Sequence, residues 1–486
     1  MPREELMYIG GLDIGTSGCK IVLYDEKGGF VKSEYREYDV ARSGGLHEID
    51  PNALLDAVVE VLSAVSDYDI SAIAVTSFGE SFVMVDSEGK PLNQIMLYTD
   101  PRGSEECEAL KKHFGEERLS YLTGTKPHEM YSLPKIMWLK ANRPELYNRA
   151  AAILLMQDYV VYKLTGKRQI DYSLAARTAC FDIKNKCWID EILDFCGIEK
   201  NLLSCPVPSG TVAGEITEVA AKITGLSRKV VIVSGCHDQI AAMTGAGAFE
   251  NSRVMDGTGT VECVPLIMDE APENMELYRC GYSVVPHING KYACYVLSYT
   301  GGATLKWFRD SFSDLSYAEM DKQVSAEPTG LLIMPHFAGA ATPYMDTGSK
   351  AAVLGLTFEH GKYDIYKALM EGTAYEIKVN TELLKDFGIE PKMLVATGGG
   401  ANSDVWLQIK ADVLGIPVTA LDAGEIGAAG TAYLAGLAIG AYDKDMRLTS
   451  ERCVFRPDEE RHKIYCRNYE KYKKIYGAVR EVMCDE

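Results

Sequence analysis

The sequence predicts an α/β fold, on two observations. Apolar runs of strand length alternate with stretches of helical period, the order that builds sheets covered by helices. A strand-and-turn unit closing on Asp13-Ile14-Gly15-Thr16 also returns in the second half as Asp256-Gly257-Thr258-Gly259-Thr260, as a duplicated domain would. At 486 residues, 47% hydrophobic and 24% charged, the chain has length for two domains or more and composition for a large core.

In chain order, residues 6–12 read as a strand ending at Asp13, Gly15 to Gly18 as a tight turn, and residues 19–24 as the next strand. Residues 54–65 read as a helix. Residues 70–76, 82–85 and 95–98 are further strands, 136–140 a helix and 230–233 a strand. The second unit opens near Ser252, which places the boundary near residues 249–251, with domains 1–249 and 250–486. The strand at 393–395 runs into a glycine turn and a helix with Trp406, Ile409 and Val413 on one face. The uncharged stretch 426–442 is rich in Gly and Ala. It is too short for a membrane span, which takes about 20 strongly apolar residues, and reads as a buried helix packed through small residues. Residues 462–479 space Tyr and Lys as an amphipathic tail helix.

The formal net charge of −19 argues against nucleic-acid or anionic-membrane partners, while leaving room for a small anionic ligand at a local site. Thirteen scattered cysteines with no Cys-x-x-Cys pair read as reduced thiols, and the first residues show no apolar signal core, so a cytoplasmic protein is expected. P-loop, Rossmann and metal-ligand spacings are absent from the sequence.

Four motifs offer chemistry. In Asp13-Ile14-Gly15-Thr16-Ser17-Gly18, a glycine hairpin lets backbone N–H groups reach phosphate oxygens, Thr16 and Ser17 add hydroxyls, and Asp13 suits Mg²⁺; a plain turn is the alternative. In Val231 to Gln239, a strand delivers Asp238 to a helix start, placed to accept a hydroxyl proton or simply to cap the helix, while His237 reads as packed. Gly398-Gly399-Gly400-Ala401-Asn402 follows a strand and opens a helix, allowing close approach of a nucleotide; Gly301-Gly302 and Gly257 to Thr260 are similar. Thr76 to Glu80, with Asp100-Pro101-Arg102, sits where polar side chains can hold ligand hydroxyls; for Asp100 and Arg102 a local salt bridge is the equal alternative.

These motifs, in this order, resemble the FGGY family of carbohydrate kinases over nearly the whole chain. Residues 130–139 fit one family signature until Ala141 departs from it, and the segment from Gly355-Leu356 through Asp364-Ile365 to Ala368-Leu369-Met370-Glu371 fits the second. The resemblance implies two ribonuclease-H-like domains, as in actin and hexokinase, facing a central cleft. It places ATP-Mg²⁺ near Thr16, Ser17, Gly257, Thr258, Gly259, Thr260, Gly302, Gly399, Gly400 and Asn402, with the metal at Asp13 and Asp238. It implies Asp238 as the catalytic base and Glu80, Asp100, Arg102 and Gln239 as contacts of a small sugar or polyol. Kinases of this family are often dimers.

For the sugar, the pattern around Asp100 and Asp158-Tyr159 is similar to xylulokinases, which carry Gln-Met-His where this chain has Phe78-Gly79-Glu80. Glu80 and Gln239 resemble glycerol kinases, although Gly79 stands where those carry Arg and Met130 where an aromatic is expected; Thr76 to Gly79 resembles fuculokinases. The expectation is a ketopentose, with polyol or deoxyketose as alternatives. Two readings outside sugar phosphorylation are an actin- or Hsp70-type ATPase, for which the chain leaves no room for an added partner-binding domain, and a silent sugar-binding regulator, against which Asp13 and Asp238 stand intact.

Overall fold

The computed structural model describes residues 7–422 and 425–483. Its first half is built on a six-stranded sheet of β1 (Tyr8–Ile14), β2 (Gly18–Asp25), β3 (Phe30–Glu37), β4 (Ile70–Ser77), β5 (Thr211–Glu215) and β6 (Val231–His237), in the order β5-β6-β4-β1-β2-β3. Strands β1 to β3 form an antiparallel meander, and β4 and β6 run parallel to β1. Register places Ile14 and His237 both opposite Ser77, so β1, β4 and β6 end side by side. Such aligned carboxyl ends are where α/β sheets offer a crevice. Helices α1 (Pro51–Ser63), α2 (Ser132–Asn142) and α3 (Met156–Thr165) accompany this half, and α4 (Asp238–Gly245) follows β6 directly. Helix α1 starts three residues before the expected 54, because Asp50 caps it by accepting from Asn52 N–H at 2.9 Å and Pro51 suits its first turn.

The second half repeats the plan. Its seven-stranded sheet comprises β7 (Val254–Thr258), β8 (Glu262–Met268), β9 (Ser283–Pro286), β10 (Tyr292–Ser298), β11 (Leu394–Thr397), β12 (Val418–Asp422) and β13 (Ser450–Phe455), ordered β9-β10-β8-β7-β11-β12-β13. The run β10-β8-β7-β11-β12-β13 reproduces β3-β2-β1-β4-β6-β5, antiparallel and parallel pairings included. Each half is thus the same unit with its own insertions. The second carries α5 (Gly302–Phe312), α6 (Lys362–Lys385), α7 (Asp404–Leu414) and α8 (Ile426–Ala438).

The expected tail helix is two helices, α9 (Glu459–Tyr472) and α10 (Ile475–Met483). Tyr465, Tyr469 and Tyr472 hydroxyls of α9 donate to Glu371, Glu382 and Glu376 of α6, which explains the tyrosine spacing.

The halves meet through α4 and α8, the helices that follow the equivalent strands β6 and β12. A Cβ on Gly430 would lie 1.9 Å from the Ala241 carbonyl oxygen, and one on Gly245 would lie 2.1 Å from that of Ile426. A Cβ on Gly11 of β1 would lie 2.0 Å from the Ala428 carbonyl oxygen. Backbone therefore packs on backbone at this crossing, and only glycine fits. This is the role of the small-residue stretch at 426–442. No helix among the described residues is long and apolar enough to cross a membrane.

Candidate active site

Because β1 and β6 end together, Asp13 and Asp238 are brought to one place from positions 225 residues apart in sequence. Asp13 Oδ1 and Asp238 Oδ1 are both shielded from solvent and have no hydrogen-bond partner among the described residues. Burial, then the charge of Asp238, pushes Asp13 up to about 7 against the pull of Lys20, which is itself paired with Glu425. Burial raises Asp238 to about 6, opposed by hydrogen bonds from Gln239 and by the charge of Arg177. The Asp238 side chain keeps 36% exposure, so it opens on the crevice while its inner oxygen is sealed. His237 Nε2 lies 3.2 Å from that oxygen. Burial, then Arg177, lowers His237 to about 3, so the imidazole is neutral, in keeping with a packed histidine.

The Asp13 hairpin is closed by Gly15 N–H donating to the Gly18 carbonyl at 2.9 Å. Thr16 is half-buried and Ser17 exposed at its tip. The equivalent hairpin of the second half turns at Gly259-Thr260-Val261, between Thr258 and its cross-strand neighbour Glu262. Two glycine segments close on it. Gly302 N–H donates to the Gly259 carbonyl at 2.7 Å and Gly301 N–H to that of Thr260 at 2.9 Å, so the first N–H groups of α5 are spent on the hairpin. A Cβ on Gly400 would lie 2.6 Å from Thr258 Cβ, and Gly398 takes φ +75° with its Cβ position 2.6 Å from the Thr258 carbonyl oxygen. Gly399 and Asn402 remain exposed at the turn before α7, with nothing within 4 Å of a Gly399 Cβ. The glycines expected to meet a nucleotide thus converge on one hairpin tip, with Gly259 and Thr260 exposed.

Beneath that tip lies a charge cluster that the sequence motifs do not announce. Lys410 Nζ, on α7, donates to Asp256 Oδ2 at 2.5 Å, Glu262 Oε1 at 2.6 Å and Thr258 Oγ1 at 2.7 Å, with the Lys410 and Asp256 side chains 0% exposed. Thr258 is therefore committed to the protein, and Asp256 is sealed under the hairpin where its counterpart Asp13 is half-buried.

Residues 8–245 match the FGGY family of carbohydrate kinases, N-terminal domain, and residues 258–439 the C-terminal domain of the same family. The chain belongs to that family. It is an ATP-dependent carbohydrate kinase, transferring phosphate to a hydroxyl acceptor. A xylulose kinase from Staphylococcus epidermidis is 27% identical, the match covering 98% of this chain and 97% of the relative. A glycerol kinase from Enterococcus faecalis is 30% identical over 95% and 96%. In fold, the kinase is similar to a xylulose kinase from Lactobacillus acidophilus, with a TM-score of 0.88 over 98% and 99% of the chains at 24% identity.

On the first-half side of the kinase, Glu80 is nearly buried at φ +63°, an unusual backbone for a non-glycine residue. Its side chain pairs with Arg177, and Ser132 Oγ donates to its carbonyl at 2.7 Å. Arg177 lies 5.0 Å from the Tyr131 ring, so the aromatic here is Tyr131, one position beyond Met130. Gln239 is half-buried beside Asp238 in the first turn of α4. Asp100 and Arg102 take the other reading open to them. Arg102 Nε and Nη2 donate to Asp100 at 2.7 and 2.8 Å, Nη2 also reaches Glu48 at 2.6 Å, and His47 N–H donates to Asp100 at 2.9 Å. They form a local ion pair beside Trp138, with their polar atoms turned to one another rather than to Asp238.

Sequence reasoning passed over Arg177, Tyr131, Glu262 and Lys410. A usable signal existed for Arg177, a lone charge in the small, apolar run from Leu174 to Cys180. Lys410 shows none, since a lysine on a helix usually reads as solvent-facing.

Proposed function

We propose that this kinase phosphorylates a ketopentose of the xylulose type, with Asp238 as the base that takes the acceptor hydroxyl's proton. The observation that carries the reading is the pair Asp13–Asp238, two carboxylates with inner oxygens unpartnered among the described residues, at the ends of the strands on either side of β4, in the chain whose other half presents a glycine-lined hairpin tip. Phosphoryl transfer rests on positioning and charge stabilisation, and a poorly acidic hydroxyl needs a carboxylate within reach. Ionised Asp238 supplies that carboxylate, and Gln239 orients it. Glu80 holds sugar hydroxyls from the side of β4. The exposed turn residues Thr260 and Gly399, with Thr16 and Ser17 opposite, receive the phosphates. The ketopentose rests on the relatives named xylulose kinase, matched over nearly their full length.

The donor set also suits magnesium. Asp13 and Asp238 offer hard oxygens, and each carries a buried acceptor lacking a donor. Magnesium held there with ATP would supply neutralisation of phosphate charge.

The test is ADP release with ATP and Mg²⁺ across xylulose, ribulose, single-deoxy ketoses, pentitols and glycerol. Turnover highest on a ketopentose supports the reading. ATP hydrolysis that no sugar stimulates would refute the acceptor assignment.

A further inference from the structure

The pairing of Glu80 and Arg177 is one-sided. Arg177 Nε and Nη2 both donate to Glu80 Oε1. Among the described residues Arg177 Nη1 and Glu80 Oε2 make no hydrogen bond, and neither is among the sealed, unpartnered atoms. The couple therefore presents one free acceptor beside free N–H donors. Arg177 and His237 both pack against the Cα of Gly79, and His237 Nε2 lies 3.2 Å from Asp238 Oδ1, so this couple lies close to the proposed base.

The sequence prepares the position from both sides. A Cβ on Gly79 would lie 3.0 Å from Arg177 Cγ, 3.2 Å from Arg177 Cβ and 3.1 Å from His237 Cδ2. Glycine at 79 is what lets an arginine from 98 residues further along pack against the Glu80 backbone. The arginine itself is on a fixed turn. Asp171 accepts from Ser173 N–H at 2.8 Å and Leu174 N–H at 3.1 Å, and Ser173 Oγ accepts from His237 N–H at 2.9 Å, tying the turn to the end of β6. Tyr131 covers the guanidinium. A donor–acceptor couple held this way is preorganised, so little ordering cost falls on ligand binding.

We infer that Arg177, seated by Gly79 and held by Glu80, sets acceptor specificity by reading two neighbouring oxygens of a neutral sugar, a vicinal diol or hydroxyketone. This rests on the sugar-kinase reading above. One substrate hydroxyl donates to Glu80 Oε2, and its neighbour accepts from Arg177 Nη1. The couple is formally neutral, and its free carboxylate oxygen repels an anionic substrate, so a sugar acid of the same length is rejected. A site built to bond a hydroxyl discriminates against analogues lacking it, because its own polar groups are then left unpaired.

The experiment crosses enzyme variants with substrate analogues. Arg177→Met should lose about 10- to 100-fold in kcat/KM on xylulose, the scale of a lost charged hydrogen bond. It should lose little further on the single-deoxy analogue that lacks the hydroxyl it reads, while ATP affinity holds. Arg177→Lys should recover part of the loss, and Gly79→Ala, which crowds Arg177, should reproduce the substrate pattern even where Arg177→Met folds poorly. Glu80→Gln, by removing the repelling charge, should raise the relative rate on the aldonic acid. Equal losses on xylulose and every deoxy analogue overturn the inference and leave the kinase reading standing. Absence of turnover on any neutral sugar by the unaltered enzyme overturns both.

Discussion

Lys410→Met isolates what the buried charge cluster contributes. The lysine ammonium makes three hydrogen bonds of 2.5 to 2.7 Å and sits 5.0 Å over the Trp406 ring. Burial pulls its pKa down, but Asp256 and Glu262 outweigh that and raise it, so it is charged. Methionine keeps the volume and removes the charge, stranding two carboxylates beneath the hairpin. Breaking a buried pair this way costs about 3–5 kcal/mol. At about 2–4 °C per kcal/mol for a domain of this size, the melting temperature should fall by on the order of 10 °C. The sign of the pH dependence follows from Glu262. Burial, then Asp256, raises its carboxyl, and Lys410 pulls it back. Ionising a raised carboxyl costs stability as pH climbs from its unfolded value of about 4.3 through its folded value. Without Lys410 the folded value climbs further, so the variant's deficit should be larger at pH 8 than at pH 5. Glu262→Gln in the same chain should restore part of the loss. Thermal and urea unfolding at both pH values, with ATP titrations, make the assay. A variant within 1 kcal/mol of the unaltered enzyme at pH 8, or a deficit that shrinks with rising pH, would refute the reasoning.

Three further outcomes are expected. Asp238→Asn should abolish phosphoryl transfer while nucleotide binding, read by calorimetry, persists; near-normal turnover would remove Asp238 as base. With Asp238 raised to about 6 and Asp13 to about 7, kcat/KM for the sugar should fall as pH is lowered through that window, because the base must be ionised; a flat profile to pH 5 would exclude the pair from that limb. Gly430→Ala places a methyl 1.9 Å from the Ala241 carbonyl oxygen, so α4 and α8 must separate. Overpacking of that kind costs about 1–3 kcal/mol or more, and faster limited proteolysis together with reduced activity is the expected reading.

The fold class was legible because it rests on local signals. Strand length, turn residues and the repeat of Asp-Gly-Thr at 13–16 and 256–260 survive in one chain without any knowledge of contacts. The placement of Asp238 was legible for the same reason, a carboxylate between an apolar strand and a small-residue helix. What was not legible depends on what a side chain meets across the fold. Asp13 and Asp256 lie on equivalent strands, yet one is half-buried beside Asp238 and the other is consumed by Lys410, a residue 154 positions away. Asp100 and Arg102, two residues apart, gave equal support to ligand binding and to a local bridge. The choice was made by Glu48 and His47, which no local pattern links to them. Arg177 depends on an absence, the missing Cβ of Gly79, and becomes visible only when the two segments are placed together.

The glycine crossing also bears on the chemistry. Asp238 is the first residue of α4, and a Cβ on Gly427, in the first turn of α8, would lie 3.2 Å from Asp13 Oδ2. The helices that join the two halves therefore begin at the two carboxylates. Because the α4 and α8 backbones are in direct contact at Gly245 and Gly430, with no compressible side chains between them, this crossing is the natural pivot for any movement of one half against the other. Asp13, Asp238 and the couple at Glu80–Arg177 all belong to the first half and keep their spacing, while the hairpin tip at Gly259 belongs to the second half. A kinase must close around its substrates to exclude water as an acceptor. On the function proposed above, closure about this crossing would bring the hairpin tip at Gly259 towards Asp13, Asp238 and Glu80, with the geometry of the first-half site unchanged. The duplication accounts for this arrangement, since each copy contributes one helix to the pivot and one acid-and-glycine hairpin to the cleft.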